Sequence, residues 1–172
     1  SFFFTFGNSN TSFRNGHKHS DYLAINLFYG SKKIITNGGT FKYFDTLSKR
    51  LLFRDERTQS NIQFNGERYV SYDQRFEVDS NTLPDCKLIS LEGDHDGFKA
   101  LAQIKFKIGI FKVKVMRQIL FDKFVYYITD EVFNFTGNFY SKFISPSISV
   151  SARNSFVLNE DVNIKSNNNC IG

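Results

Sequence analysis

Two of the three histidines lie two positions apart, at residues 17 and 19, and an aspartate follows two positions later. Alternate side chains of a β-strand point to the same face, so His17, His19 and Asp21 would form one polar row in an extended segment. Imidazole and carboxylate groups bind zinc, and histidine is the commonest general base at neutral pH. The row is therefore a candidate metal site, a candidate catalytic base with its supports, or a solvated strand entrance.

The segment that follows this row has the pattern of a β-strand. Apolar side chains recur at every second position: Leu23, Ile25, Leu27 and Tyr29. This alternation predicts a strand with one apolar face. Glycine-containing stretches at 30–33 and 37–39 predict turns on either side of a second strand.

Period-two alternation continues along most of the chain and is clearest from residue 99 to residue 132. Gly109 predicts a turn or bulge between two strands, Asp122-Lys123 predicts the next turn, and Asn65-Gly66 predicts a hairpin. Residues 44–60 are polar and charged, which predicts a long loop or an irregular crossing. Short strands separated by turn signals are typical of an antiparallel sandwich or barrel.

Composition agrees with one β-rich domain. The chain has 172 residues, of which 41% are hydrophobic and 17% aromatic, and it contains 21 Phe and no Trp. This content excludes a disordered chain and favours strands. Cys86 and Cys170 are far apart and form no CxxC pair, so they indicate neither a zinc knuckle nor a disulfide framework. No apolar run reaches the length of a membrane span.

Positive charge is concentrated on both sides of Gly109. Four lysines alternate with apolar residues there: Lys105, Lys107, Lys112 and Lys114. They would form a basic row on one sheet face, or they are solvent positions that discourage edge-to-edge strand pairing. The net charge of +5 permits an acidic partner such as nucleic acid or an anionic polysaccharide, and it is equally compatible with simple solubility.

Four motifs in order resemble the C-terminal domain of heparinase II/III-like polysaccharide lyases. They are "HKHSD" at 17–21, "NGGTFKYF" at 37–44, "RTQSN" at 57–61, and "HDGF" at 95–98 with "MRQIL" at 116–120. The resemblance implies an all-β fold, a large antiparallel β-sandwich that forms a single domain over residues 1–172. It also implies that this domain is the C-terminal part of a longer chain, whose N-terminal α/α toroid lies outside it.

The chemistry implied by the resemblance is β-elimination on a uronate-containing polysaccharide. A base removes the proton alpha to the carboxyl group, and an acid assists departure of the glycosidic oxygen, so both must lie within reach of the substrate. The family uses a His and a Tyr, which implies catalytic roles for His17 and Tyr43, although Phe41 occupies the position where the family has its Tyr. Since the toroid contributes further residues, we expect this chain alone to be inactive.

The resemblance also assigns binding positions. It implies substrate binding by Arg117 and Asn61, with a solvent-facing strand arginine as the alternative for Arg117. His19 matches a zinc ligand of the family, but its partner positions hold Asn37 and Ser60 instead of Asp and His. Zinc sites use Cys, His and carboxylates, so we expect no cofactor, with zinc as the alternative, and a hydrogen-bonded polar cluster at these positions.

Two functions therefore compete. One is a divergent lyase acting on acidic polysaccharide together with its toroid; the other is a non-catalytic carbohydrate-binding or scaffolding sandwich linked to surface-polysaccharide metabolism. Nucleic-acid binding would explain only the charge, so we expect no nucleic-acid partner and no membrane span. If the protein degrades polysaccharide, the resemblance implies a bacterial, periplasmic or secreted location.

Overall fold

The structure is a computed structural model of the chain. It describes residues 2–6, 19–39, 46–64, 67–71, 80–94, 96–122, 125–141, 143, 155–157, 163–165 and 168–171. Within these ranges the chain forms twelve strands, one α-helix and two 3₁₀ turns. None of the helices in these ranges has the length and apolar character that crossing a membrane requires.

The first part of the chain forms short strands around a helix. Its elements are β1 (Phe2–Phe4), β2 (Ile25–Tyr29), β3 (Lys32–Ile35), α1 (Leu47–Arg54), a 3₁₀ turn (Glu56–Thr58) and β4 (Ile62–Phe64). A second 3₁₀ turn (Ser80–Thr82) precedes the longer strands. These are β5 (Asp85–Gly93), β6 (Gly97–Ile108), β7 (Phe111–Asp122) and β8 (Val125–Phe133), followed by β9 (Phe139–Ser141), β10 (Ser155–Val157), β11 (Asn163–Lys165) and β12 (Asn168–Ile171).

The largest sheet has five strands in the order β12-β8-β7-β6-β5. Strands β5 to β8 are antiparallel neighbours, and β12 joins β8 in the parallel direction. Strands β1, β2 and β3 form an antiparallel sheet, and β4 pairs with β9. The predicted all-β antiparallel fold is therefore confirmed.

The longest hairpin joins β6 and β7, which have twelve residues each. Gly109 lies in the turn with a φ of 54°, a conformation that glycine adopts without steric cost. The turn predicted at Gly109 is thus confirmed. The hairpin turn expected at Asn65-Gly66 lies outside the described residues. Phe64 and Glu67 on either side of it form an isolated bridge, and β4 pairs with β9.

One face of the five-stranded sheet is covered by the smaller sheets. Inner side chains of β6 and β7, among them Ile104 and Val115, share a buried cluster with Phe64 of β4. A second cluster joins Ile119 of β7 with Ile25 of β2. Two layers of sheet with a common apolar core make the domain a β-sandwich.

Helix α1 corrects the interpretation of residues 44–60 as a loop or irregular crossing. Its sequence, LSKRLLFR, is rich in good helix formers. Two of its arginines face the interior, since Arg50 is 3% exposed and Arg54 is 0% exposed. Charged residues on the buried side hid the apolar stripe by which an amphipathic helix is usually recognised.

Candidate functional site

His19 lies beside the C-terminal end of helix α1. The last carbonyl groups of a helix lack intrahelical partners. Here the Phe53 carbonyl oxygen lies 3.0 Å from His19 Nδ1, and the Arg54 carbonyl accepts from the Ser20 backbone N–H at 2.8 Å. Because a carbonyl can only accept, Nδ1 is the donor in this contact. The helix end thus fixes the position of His19.

Asn37 and Ser60 meet next to this segment. The Ser60 backbone N–H donates to Asn37 Oδ1 at 3.0 Å, and Ser60 Oγ donates to the Thr36 carbonyl at 2.6 Å. The Asn37 backbone N–H donates to Asn26 Oδ1 at 3.0 Å. Two positions that are 23 residues apart in the chain are therefore joined by a direct hydrogen bond.

Asn61 follows Ser60 in the chain and binds the segment that carries His19 and Ser20. It is 1% exposed, and its Nδ2 donates to the Ser20 carbonyl at 2.8 Å and to the Tyr69 hydroxyl at 3.0 Å. Its Oδ1 accepts from Gln63 Nε2 at 3.1 Å. We call the residues His19, Ser20, Asn37, Ser60 and Asn61 the strand-entrance cluster, because they surround the segment that leads into β2. The side-chain amide of Asn61 already binds protein groups. A sugar contact by Asn61 stays a prediction.

Arg117 lies in the interior between the sheets. It is 0% exposed, which makes the interpretation as a solvent-facing strand arginine wrong. Its Nε and Nη2 donate to the two carboxylate oxygens of Asp130 at 2.7 and 2.6 Å, and Nη1 donates to the Leu23 carbonyl at 2.5 Å. Ser141 Oγ also donates to Asp130. The geometry favours a positioning role for Arg117, and substrate binding by it stays a prediction.

The two predicted catalytic residues, His17 and Tyr43, lie outside the described residues. Their roles therefore stay predictions that rest on the family pattern. His17 precedes His19 by two positions in the chain, and Tyr43 follows Asn37 by six. Both therefore belong to segments that lead directly to or from the strand-entrance cluster.

Glu56 is a buried carboxyl group that the sequence did not single out. It is 1% exposed, and its Oε1 accepts from the Tyr69 backbone N–H at 3.2 Å. Its Oε2 has no hydrogen-bond partner among the described residues. Burial, reinforced by the neighbouring Asp55 charge, raises the pKa of Glu56 to about 7. Nothing in the sequence marks this residue, because it stands in a charged run that is typical of solvated loops.

The chain is a β-sandwich domain with a hydrogen-bonded polar cluster at the entrance to β2. Residues 1–168 match the family model described as heparinase II/III-like, C-terminal. The chain belongs to this family, and the resemblance seen in the sequence is confirmed. Searches of curated proteins and of solved structures gave no match.

The residues at the family's zinc positions do not fit zinc. His19 supplies one imidazole, whereas Asn37 supplies a neutral amide and Ser60 a hydroxyl that donates to a backbone carbonyl. Among the described residues, no three His, Cys, Asp or Glu side chains are grouped as a metal would require. Zinc is held by Cys, His and carboxylate ligands, and here two of three positions have lost that chemistry.

Restoring the two ligand types should restore metal binding. We expect the protein to be purified without stoichiometric zinc, and the Asn37→Asp/Ser60→His variant to gain about one zinc per chain, because a carboxylate and a second imidazole would then join His19. Metal analysis by inductively coupled plasma mass spectrometry measures this directly.

The control adds His19→Ala to that double variant, which should abolish the gain. Stoichiometric zinc in the unmodified protein that disappears with His19→Ala would show that Asn37 and Ser60 are adequate ligands after all.

Proposed function

We propose that this chain is the C-terminal sandwich of a divergent polysaccharide lyase that cleaves uronate-containing polysaccharide by β-elimination. The observation that carries the proposal is the strand-entrance cluster of a chain that belongs to the heparinase II/III-like family. In this cluster Asn37 and Ser60 are joined by a hydrogen bond, and His19 is held at the end of α1. In this proposal His17 and Tyr43 act as base and acid. The base removes the proton alpha to the carboxyl group, and the acid protonates the departing glycosidic oxygen.

The described residues would serve this reaction by holding the segment next to His17. His19 and Ser20 are fixed to the end of α1, and Asn61 holds the Ser20 carbonyl. Arg117 binds the Leu23 carbonyl just before β2. Fixing the segment next to a catalytic group favours preorganisation of a site, which lowers the entropic cost of reaching the transition state.

The proposal includes a second part of the protein. The family pattern places an N-terminal α/α toroid opposite the sandwich, and we propose that it completes the cleft and binds the acidic polysaccharide jointly with this domain. The sandwich alone would then hold one wall of the cleft and would not catalyse elimination by itself.

The alternative function is a sandwich that binds or scaffolds carbohydrate without catalysis. This non-catalytic function is favoured by the contacts of the predicted site residues, which lie within the protein. Asn37, Ser60, Asn61 and Arg117 all direct their polar groups to protein partners. A site whose donors and acceptors are already satisfied in this way has fewer groups left to stabilise a transition state.

Product formation separates the two functions. Each elimination leaves an unsaturated uronate that absorbs ultraviolet light, so the full-length protein should generate this absorbance with at least one member of a panel of acidic polysaccharides. His17→Ala should slow it about 100-fold or more, because general acid–base catalysis contributes that much. Tyr43→Phe should have a similar effect.

Tyr140→Phe is the matched control, since Tyr140 is 38% exposed on β9 and should leave the rate unchanged. If unmodified protein and variants are equally silent across the panel, the non-catalytic function is correct. If product forms at the same rate in the His17→Ala variant, the assignment of the base is wrong.

A further inference from the structure

Four lysines are paired across the β6–β7 hairpin. Lys105 lies directly opposite Lys114, and Lys107 lies directly opposite Lys112. Like charges directly opposite each other on one sheet face destabilise the pairing. Solubility alone does not require this arrangement, because the same lysines in staggered positions would carry the same charge at lower cost.

The lysines project from the side of the sheet that faces away from the strand-entrance cluster. The residues between them, Phe106 and Val113, are 7% and 1% exposed and belong to the core cluster that contains Tyr69. Phe106 lies 4.5 Å from Tyr69 between ring centroids, and Tyr69 contacts Asn61. Since successive side chains of a strand point to opposite faces, the lysines lie on the other face.

On that face the four lysines line a cleft of about 520 Å³. Its other wall is formed by the segment after the second 3₁₀ turn, including Leu83, and by Asn134. Lys114 is half-buried, and its Nζ lies 3.9 Å from the centre of the Phe133 ring, a cation–π contact that holds the ammonium group in place. The volume is in the range typical of ligand sites, and its partly apolar wall strengthens electrostatic attraction inside.

Little negative charge balances these lysines. Within the described part of the chain, no carboxylate lies at ion-pair distance from any of the four ammonium groups. Asp85 is the carboxylate in the cleft wall, and it lies opposite Lys105 in the strand register. Among the described lining residues, four ammonium groups stand against one carboxylate, a positive balance that attracts an anionic ligand.

We propose that this lysine cleft, formed by Lys105, Lys107, Lys112 and Lys114, binds a short run of carboxylates on an acidic polysaccharide and anchors the chain away from the strand-entrance cluster. The two lysine pairs are separated by two residues along the strands, about 7 Å, so they can contact more than one charged group of an extended ligand. The choice of polysaccharide rests on the proposed function. Nucleic acid fits less well, because binding of single strands relies on exposed aromatic platforms, and the one aromatic residue among the described lining residues is the buried Phe106.

The test is isothermal titration of the full chain with three acidic oligosaccharides, namely oligogalacturonate, a hyaluronate fragment and a heparin fragment. A neutral malto-oligosaccharide and oligothymidylate serve as comparison ligands. We expect at least one acidic oligosaccharide to bind, with affinity that falls as salt rises, and the neutral sugar not to bind. The Lys105→Gln/Lys107→Gln/Lys112→Gln/Lys114→Gln variant should lose about tenfold or more in affinity.

The matched control removes the same number of charges elsewhere. It is Lys32→Gln/Lys33→Gln/Lys49→Gln/Lys99→Gln, built from lysines that are all exposed, and it should keep the affinity within about twofold. Thermal melts of both variants show that they are folded; the cleft variant should melt no lower than the unmodified protein, because two like-charge pairs are gone.

Three outcomes would overturn the proposal: no binding of any acidic oligosaccharide, equal losses in both variants, or tighter binding of oligothymidylate than of every acidic sugar. The result is independent of catalysis, since His17→Ala should abolish product formation and leave binding in the lysine cleft intact. If no acidic oligosaccharide bound in the lysine cleft while product formed normally, the proposed lyase function would still hold.

Discussion

Replacing Arg117 with methionine is expected to lower the free energy of unfolding by about 3–5 kcal/mol, because the variant leaves the Asp130 carboxylate buried without its cation. Both side chains are 0% exposed in the native protein. They form two parallel hydrogen bonds of 2.7 and 2.6 Å, a bidentate geometry that makes a strong charge-assisted pair. Urea unfolding, with comparison of midpoint and slope, measures the loss.

The same substitution should loosen the start of β2. Leu23 has a φ of 59°, a left-handed conformation that costs an ordinary residue about 1–2 kcal/mol. Its carbonyl accepts from Arg117 Nη1, and its N–H donates to the Thr5 carbonyl at 2.9 Å. Without the arginine, one of the contacts that hold this conformation is gone. We therefore expect faster amide hydrogen exchange at Leu23 and Ala24 in the variant.

Two controls separate the buried ion pair from a general effect of losing an arginine. Arg57 also binds a buried carboxylate, Asp55, but its side chain is 50% exposed, so Arg57→Met should cost no more than about 1 kcal/mol. The Arg117→Met/Asp130→Asn double variant should recover much of the loss, since it contains no unpaired buried charge. Equal losses for the two methionine variants, or a double variant as unstable as Arg117→Met, would contradict the expectation.

The burial of this ion pair could have been predicted from the sequence. Arg117 has the same strand parity as Val113, Val115 and Ile119, which are at most 1% exposed. Asp130 is in phase with the buried Ile128 and Val132 in the same way. A two-residue turn at Asp122-Lys123 would place residue 117 opposite residue 128. The pairing of Arg117 with Asp130 therefore follows from the observed register, in which Asp122 pairs with Val125, and not from the predicted turn. The family pattern predicted substrate binding by Arg117, whereas the two-residue period indicated the core.

The strands were predictable because solvent lies on one face of each long strand. That exposure imposes the alternation seen from residue 99 to residue 132, and glycine marks the tight turn between β6 and β7. Helix α1 was not predictable in the same way, because Arg50 and Arg54 are buried on its inner side and remove the usual apolar stripe. Their burial depends on neighbours that are distant in the sequence.

The candidate site was predictable as a set of positions and not as a set of contacts. The family pattern related Asn37 to Ser60, and their hydrogen bond agrees with that relation. The contacts of Asn26 and Thr36 depend on how the end of β3 approaches the segment before β4, which no local pattern encodes. No local pattern encodes the burial of Glu56 either.

Replacing Glu56 with glutamine is expected to raise the free energy of unfolding at pH 8 by about 3 kcal/mol. The pKa of Glu56 rises from 4.5 to about 7 on folding, and each pKa unit corresponds to about 1.4 kcal/mol. A carboxyl group whose pKa is raised by folding holds more protons in the folded state between these two values. Stability contributed by this group is therefore fully present below pH 4.5 and is lost as the pH rises to about 7.

Glutamine removes this dependence because its side chain does not ionise. Its Oε1 can still accept from the Tyr69 backbone N–H, so the one hydrogen bond recorded for the Glu56 side chain is retained. The difference in unfolding free energy between the variant and the unmodified protein should grow from pH 4.5 to pH 7 and stay constant above that. Urea unfolding at a series of pH values measures this difference and cancels the titration of all other groups.

Glu92→Gln is the matched control. Glu92 is exposed on β5, so this substitution makes the same chemical change at a side chain that is not buried. Its curve should run parallel to that of the unmodified protein. A Glu56→Gln curve that is also parallel would mean that the carboxyl group reaches solvent or a cation on folding. A difference that grows in the expected window would show that ionisation of the buried Glu56 carboxyl lowers the free energy of unfolding at neutral pH.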